Sequence, residues 1–220
     1  MSADADAWMR NRFAATVREL ERRLDGEPRV AGVTFTERMP RQYHPWRQVE
    51  VDGPTAEPRD ERGHRLGSAA VAVNYFDVMG VRIVAGRGFQ PADASGGPPV
   101  VVVNESFVER ILGGRNAVGH RIRYVASEEY RDPEQDPGPW HEIVGVVEDL
   151  GTRSGYGPQG MYHPAALGEV HPLQVVLHAG GDARSLAPVL QTVATSVDPG
   201  LRVDDVITLD IVTLGQRTWR

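Results

Sequence analysis

Two amphipathic helical segments at opposite ends of the chain constrain its fold most strongly, because neither apolar stripe is large enough to be stable alone in water. The first stripe, at helical spacing, consists of Phe13, Val17, Leu20 and Leu24. The second consists of Leu186, Leu190, Val193 and Val197. Both stripes need a core, so we expect the two ends of the chain to pack together in one lobe.

The two segments also align without a gap at an offset of 173 residues, which suggests a structural repeat. Beyond the stripes, the identical pairs are Asp25 with Asp198, Arg29 with Arg202, Val30 with Val203, and Val33 with Val206. Strands predicted over 30–36, 173–178 and 201–209 adjoin the two helices. We therefore predict two β-α-β-type modules in a small α+β lobe. The first module would need a strand before its helix.

The residues between the two modules predict a second, inserted lobe of mixed strands and short helices. Val49 and Val51 favour one strand, and further strands are predicted over 69–73, 81–85, 100–103, 122–125 and 141–148. Helices are predicted over 75–79 and 105–112, capped by Asn74 and Asn104 and ended by glycines. Regions 45–70 and 160–172, rich in Pro, Gly and polar residues, predict two crossings between the lobes, with no single sheet through both.

Composition excludes several classes of site. The chain has no Cys, which rules out a disulfide, a thiolate zinc site and a Cys nucleophile. Its formal net charge of -6 argues against nucleic-acid binding, which needs clustered positive charge. No stretch approaches the roughly 18 apolar residues of a membrane span, and the first residues do not resemble a signal peptide. Composition alone favours a cytosolic domain, an expectation that the resemblance below replaces.

The motifs of common catalytic sites are also missing. No pair among the seven histidines has i, i+4 spacing, and no H-E-x-x-H, G-x-S-x-G or Walker sequence occurs. We therefore predict no catalytic residue, no metal ligand and no cofactor. We also expect the isolated chain neither to bind ATP nor to hydrolyse a substrate.

The densest recognisable cluster lies between residues 74 and 89. It consists of Asn74, Tyr75, Phe76, Gly80, Gly86, Arg87 and Phe89. One interpretation is a ligand or partner surface. The other, which we favour, is structural, because each residue type suits a helix cap, a core aromatic pair or a turn.

Five segments in order carry a resemblance to a known family. They are VNYFDVMGVRIVAGRGFQPAD, VVVNESFVERILGGRNAVGHRIR, HEIVGVVEDL, GMYHP and HAGGDARSLAPVLQTVATSVDPGLRVDDVITLD. Together, over roughly residues 12–215, they resemble the MacB-like periplasmic core domain of FtsX-like ABC transporter permeases, especially duplicated orphan permeases. The segment GGRNAVG lacks the two prolines usual at that turn, which affects only the local turn shape.

The resemblance implies a porter-like lobe of residues 1–50 and 170–220, with an inserted mixed α/β, Sabre-like lobe of residues 51–169. It also implies family-signature positions with structural roles at Asn74, Tyr75, Phe76, Gly80, Gly86, Arg87, Asn104 and Glu105.

The implied function is that of a non-catalytic periplasmic domain between two membrane helices of an inner-membrane transporter. It would couple ATP-driven helix motion to substrate export or to a periplasmic partner. The implied partners are an ABC-type ATPase subunit, reached through the membrane part, and a periplasmic adaptor protein or a second permease copy.

This topology predicts that both chain ends lie on one face of the porter-like lobe, toward the membrane. Two alternatives remain open. One is a free-standing extracytoplasmic module that binds peptide or lipid. The other is a small hydrolase, which the absent motifs disfavour.

Overall fold

The computed structural model describes residues 3–56, 63–125, 137–152, 154–166, 170, 172–203 and 205–209, with the side chains of residues 3–7 left aside. It shows an α+β fold, as predicted. The helices are α1 (Ala3–Asp25), α2 (Tyr75–Val78), α3 (Glu105–Ile111) and α4 (Ala187–Val197). The strands are β1 (Val30–Thr36), β2 (Trp46–Val51), β3 (His64–Val71), β4 (Ile83–Gly86), β5 (Val100–Asn104), β6 (Arg121–Tyr124), β7 (Trp140–Val147), β8 (Gly160–Pro164) and β9 (Gln174–Ala179).

Six of the strands close on themselves. The sheet runs in the order β2-β6-β7-β5-β8-β3-β1-β9, and β2 also pairs with β3. Strands β2, β6, β7, β5, β8 and β3 therefore form a closed ring, in which every strand has two hydrogen-bonded neighbours. Closure satisfies the backbone groups that an open sheet would leave at its edges. We call this ring the barrel.

The strand register decides which side chains enter the barrel, because residues that face each other across paired strands lie on the same side of the sheet. Val49 pairs with Tyr124, Ile122 with His141, and Val103 with Met161. The buried apolar members of this inner face form one cluster with Phe107 and Ile111 of α3 and with Leu112, which follows the helix. The barrel interior is thus a filled core.

The opposite face of several barrel strands carries a second core. Val100 and Val102 of β5, which alternate with the inward residues, pack there with α2 and with Phe89. Because β5 is buried on both faces, it is a continuous run of valines and ends in a buried asparagine.

The third core joins the two ends of the chain. Strands β1 and β9 pair antiparallel over six register pairs, and α1 and α4 pack on one face of that pair. Val17, Leu20 and Leu24 of α1 are buried here, with Leu190 and Val193 of α4 packed against them. The expectation that the two amphipathic helices share a core is confirmed. We call α1, β1, β9 and α4 the terminal unit.

Few strand-to-strand hydrogen bonds join the terminal unit to the barrel. A single register pair, Thr36 with Val71, connects β1 to β3. The prediction that no one sheet runs through both regions is therefore wrong, because this pair makes the nine strands a continuous sheet. The lobe boundaries at residues 50 and 170 stay a prediction.

The predicted strand over 201–209 is also wrong for its described residues, 201–203 and 205–209. Leu201 and Val203 still pack against the terminal-unit core, whereas Val206 and Ile207 are exposed. The second module thus has a strand and a helix but no closing strand in the described part. The predicted placement of both chain ends lies outside the described residues.

Candidate functional site

The aromatic signature residues lie in the core outside the barrel. Tyr75 and Phe76 are almost completely buried, and the Phe76 ring lies 5.4 Å from Tyr162 and 5.7 Å from Phe89 between ring centroids. Burial raises the pKa of the Tyr75 phenol, which keeps it neutral. These contacts agree with the structural interpretation of the aromatic pair.

The turn around β4 accounts for the next three signature residues. Gly80 and Gly86 adopt φ values of +64° and +69°, which L side chains rarely adopt. A Cβ on Gly86 would also lie 2.3 Å from the carbonyl oxygen of Val144. The Arg87 guanidinium donates to the Asp93 carboxylate at 2.6 Å and 3.2 Å, and this hydrogen bonding holds the pKa of Asp93 below its usual range.

Asn74 does not cap α2, so the prediction of a side-chain cap there is wrong. Its amide instead reaches β1. The Thr34 hydroxyl donates to Asn74 Oδ1 at 2.8 Å, and Asn74 Nδ2 donates to the Val33 carbonyl oxygen at 2.9 Å. Asn74 therefore joins α2 to the terminal unit. The buried Thr34 hydroxyl takes the acceptor that a capped helix would have used.

Asn104 caps α3, as predicted, and does more. Its Oδ1 accepts from the amides of Phe107 at 3.0 Å and Gly160 at 2.8 Å, and its Nδ2 donates to the Pro158 carbonyl oxygen at 2.7 Å. The side chain is fully buried.

Glu105, the first residue of α3, lines an open cavity of about 220 Å³ together with Val108 and Arg115. An acidic residue there complements the positive end of the helix dipole.

The terminal unit meets α2 along the face of β1 and β9 that the long helices leave uncovered. A Cβ on Gly32 would lie 3.8 Å from Cβ of Val78, so the two backbones approach closely. On β9, His178 Nδ1 lies 3.1 Å from the Val78 carbonyl oxygen. This contact and the Asn74 bonds define what we call the unit interface.

A group of polar side chains lies at one end of the barrel interior, and we call it the mouth cluster. It consists of Ser68 (β3), Tyr124 (β6), His141 (β7) and His163 (β8). The Tyr124 hydroxyl contacts Nε2 of His163, and Ser68 Oγ lies 3.4 Å from the same hydroxyl. The two imidazole centroids are 5.4 Å apart. Four strands are thus tied together through side chains that stand inside the barrel.

The mouth cluster is electrostatically unusual. Burial, the neighbouring His141 and the Arg47 charge lower the pKa of His163 to about 3. Burial likewise lowers the pKa of His141 and raises that of Tyr124 to about 12. Both imidazoles and the phenol are therefore neutral at pH 7.

A second polar group lies at an open cavity of about 440 Å³ beside the β2 end. Asp52 accepts from the Arg121 amide at 2.8 Å and lies 2.9 Å from His120 Nδ1.

Within the described part of the chain, no group of three or more His, Cys, Asp or Glu side chains has a metal-binding arrangement. Nor is any described helix both long and apolar enough to cross a bilayer.

The sequence reasoning missed the mouth cluster. Its members lie on four different strands, so no spacing along the chain relates them. The sequence does contain a signal. Tyr124 is two residues after Ile122, and His163 is two residues after Met161, so each polar residue lies on the same face of its strand as a buried apolar residue. Only the closure of the barrel brings these sides together.

Comparison with known proteins bears on the fold and on the family. The periplasmic region of MacB from Actinobacillus actinomycetemcomitans superposes with a TM-score of 0.52 at 16% identity, covering 82% of this chain and 73% of that chain. The extracellular domain of the noncanonic ABC-type transporter YknZ from Gram-positive bacteria superposes with a TM-score of 0.50 at 14% identity, covering 82% and 81%. At these identities the similarity concerns the fold alone.

At the level of sequence, no curated protein matches the chain. The family described as MacB-like periplasmic core domain, however, matches residues 5–208. That range includes the barrel, every signature residue named above and all of the terminal unit except the first two residues of α1. The chain therefore belongs to the family of MacB-like periplasmic core domains.

Proposed function

We propose that this domain transmits motion: as the periplasmic part of an ABC transporter permease, it couples ATP-driven movement of membrane helices to substrate export or to a periplasmic partner. Membership of the family supports the periplasmic location and the association with an ABC ATPase. The observation that carries the mechanical role is the small number of hydrogen bonds that join the terminal unit to the rest of the domain, namely one β1–β3 register pair and the unit interface with α2.

The terminal unit is built to move as one piece. Besides their shared core, α1 and α4 are joined at the surface, where Arg23 Nη1 donates to Ser196 Oγ at 2.7 Å. Arg12 also lies 3.8 Å from the Asp198 carboxylate. A displacement of either helix would therefore move the β1–β9 pair with it, because packed interiors deform little.

The unit interface is where such a displacement would reach the barrel. The connection includes one strand register pair with the backbone bonds of Glu37 and Ala72 beside it, the Asn74 bonds and the contacts of Val78. Val176 of β9 also packs in the core outside the barrel. When two packed parts are joined by a small number of such connections, rigid-body motion between them is favoured. We propose that the terminal unit corresponds to the porter-like lobe of residues 1–50 and 170–220, and the barrel to the inserted lobe of residues 51–169.

The remaining partners and the lack of catalysis belong to the same proposal. The domain would act with an ABC-type ATPase through the membrane part, and with a periplasmic adaptor protein or a second permease copy. It would itself be non-catalytic. Calorimetry of the isolated chain should show no saturable binding of ATP at micromolar concentration, and saturable binding would contradict this.

The mechanical role can be tested with a disulfide across the unit interface. In the G32C/V78C variant the two Cβ atoms would start from a separation of 3.8 Å, within the range of about 3.5–4.5 Å that disulfides require. These 220 residues contain no native Cys, so no other pair can form within the domain. In the full-length permease with its ATPase subunit, oxidation should reduce ATP hydrolysis several-fold, and a reductant should restore it.

The single variants G32C and V78C are the controls, because neither can form the bond within one chain. They should hydrolyse ATP equally under oxidising and reducing conditions. If the disulfide forms in the double variant and ATP hydrolysis is unchanged, relative motion at the unit interface is not part of the cycle and the proposal fails.

A further inference from the structure

The mouth cluster spans the barrel rather than one pair of neighbouring strands. In the ring of six strands, β6 and β8 are separated by two strands on either side, so they stand opposite each other. Tyr124 of β6 contacts His163 of β8 across the interior, and their rings stack with centroids 5.5 Å apart. Below them lie apolar residues of the interior, including Ile122 and Met161. The cluster thus closes this end of the barrel.

The charges around the cluster make its closure depend on neutral imidazoles. Arg47 from β2 acts on both His163 and Tyr124, and His141 from β7 lies against His163. Glu37, which follows β1, is the acidic group that acts on Tyr124. Among the described residues, His163 thus faces one cation and a second imidazole, and no carboxylate acts on it directly.

Protonation would also disturb the hydrogen bonding. A neutral His163 can accept the Tyr124 hydroxyl proton at Nε2. A protonated His163 carries a hydrogen on that nitrogen, so the phenol would have to donate elsewhere. The Ser68 hydroxyl is 3.4 Å away, which is long for an O–H···O bond. With His141 already protonated, a proton on His163 would place a second positive charge beside the first.

We propose that the mouth cluster is an acid-sensitive latch: protonation of His141, followed by His163, separates β6 from β8 at this end and opens the barrel interior. This inference rests on the proposed function for one point, since a periplasmic location would expose the latch to external pH. At neutral pH the latch is closed. It opens as the pH falls below the ordinary imidazole value.

The latch can be tested on the isolated chain by following the histidine ring resonances and the amide exchange of β6 and β8 from pH 7.5 to 2.5. His163 should titrate well below pH 6.5. The protection factors of the β6 and β8 amides, which correct for the slower intrinsic exchange in acid, should fall at least tenfold with the same midpoint. Amides of α1 should not follow, because that helix lies in the terminal-unit core. The H163Q variant keeps an amide acceptor for Tyr124 but gains no proton, so the protection factors of its β6 and β8 amides should stay high to a lower pH.

The matched control is H178Q, which makes the same substitution at an exposed histidine of β9 and should leave the acid response unchanged. In the H141Q variant the pKa of His163 should rise, because a like-charged neighbour is removed. The latch is overturned if wild type and H163Q open at the same pH, or if His163 titrates while β6 and β8 stay protected. If H163Q does not fold, the wild-type titration and the pKa of His163 in the H141Q variant test the latch instead. A negative cross-linking result for the permease leaves these measurements unaffected.

Discussion

At the scale of single residues, backbone requirements account for Asn104 and Gly86. Asn104 satisfies two amides and one carbonyl that would otherwise be buried without partners. Gly86 combines a left-handed φ with close approach to β7, whereas Gly113 at the end of α3 has the left-handed φ alone. A comparison of these two glycines therefore separates the effect of the left-handed φ from the effect of close backbone approach.

Alanine at the two positions should have unequal costs. In G113A the side chain has open space, with no atom within 4 Å, so the loss should be about 1 kcal/mol, the cost of the left-handed conformation. In G86A the added Cβ would lie 2.3 Å from a backbone oxygen, so the loss should be about 3 kcal/mol or more because the strand pair must shift. Urea unfolding of both variants measures the difference. Equal losses would show that the approach to β7 does not matter.

At the scale of elements, short connections hold larger pieces in place. Helix α2 has four residues, too few to be stable by itself, and its position depends on the surrounding aromatic core and on the bonds of Asn74. Because those bonds go to β1 rather than to α2, the residue that precedes the helix orients the helix against the terminal unit.

The N74A variant should loosen this junction locally. It would leave the buried Thr34 hydroxyl and the Val33 carbonyl oxygen without their partner, at a cost of about 1–3 kcal/mol. Hydrogen exchange should accelerate in β1 and α2 while β5 keeps its protection. The control is N116A, whose side chain bonds only within an exposed turn. Uniform acceleration in N74A, including β5, would show that Asn74 supports the whole fold instead of the junction.

At the scale of the whole molecule, buried histidines link stability to pH. Burial lowers the pKa of His44, His64 and His141, and lowers that of His163 to about 3. Each is a base whose folded pKa lies below its unfolded value, so the unfolded chain binds more protons below about pH 6.5. Their stabilisation is complete above that pH and is lost as the pH falls.

The free energy of unfolding should therefore decrease between pH 7 and pH 4.5. Each histidine contributes at most about 1.4 kcal/mol per pH unit, and the half-buried ones contribute less. Carboxylates held by Arg, such as Asp93, lose their stabilisation only at lower pH, so this window reports the histidines. Urea titrations at pH 7, 5.5 and 4.5 measure the slope. A free energy that is constant or rises on acidification would contradict the burial of these imidazoles.

The sequence by itself determined the elements with strong local patterns. The stripe of Leu20 and Leu24 predicted α1, the run of valines predicted β5, and the Asn104 cap with the following glycines bounded α3. Each depends on periodicity or on turn chemistry within a few residues, so no distant contact was needed. The family resemblance was likewise readable from five ordered segments, and the family match over residues 5–208 confirms it.

Only the tertiary structure decided how those elements close and what they enclose. The pairing of β2 with β3 completes the barrel, and it joins segments whose own patterns are no different from those of open strands. The same closure assembles Tyr124, His141 and His163 into the mouth cluster. Tertiary contact also overrode local preference at Asn74, whose side chain bonds to β1 instead of capping α2. Likewise, the described residues of 201–209 form no strand despite their β-branched side chains. The physical reason is the same in each case: these outcomes depend on partners far along the chain, which local propensity does not encode.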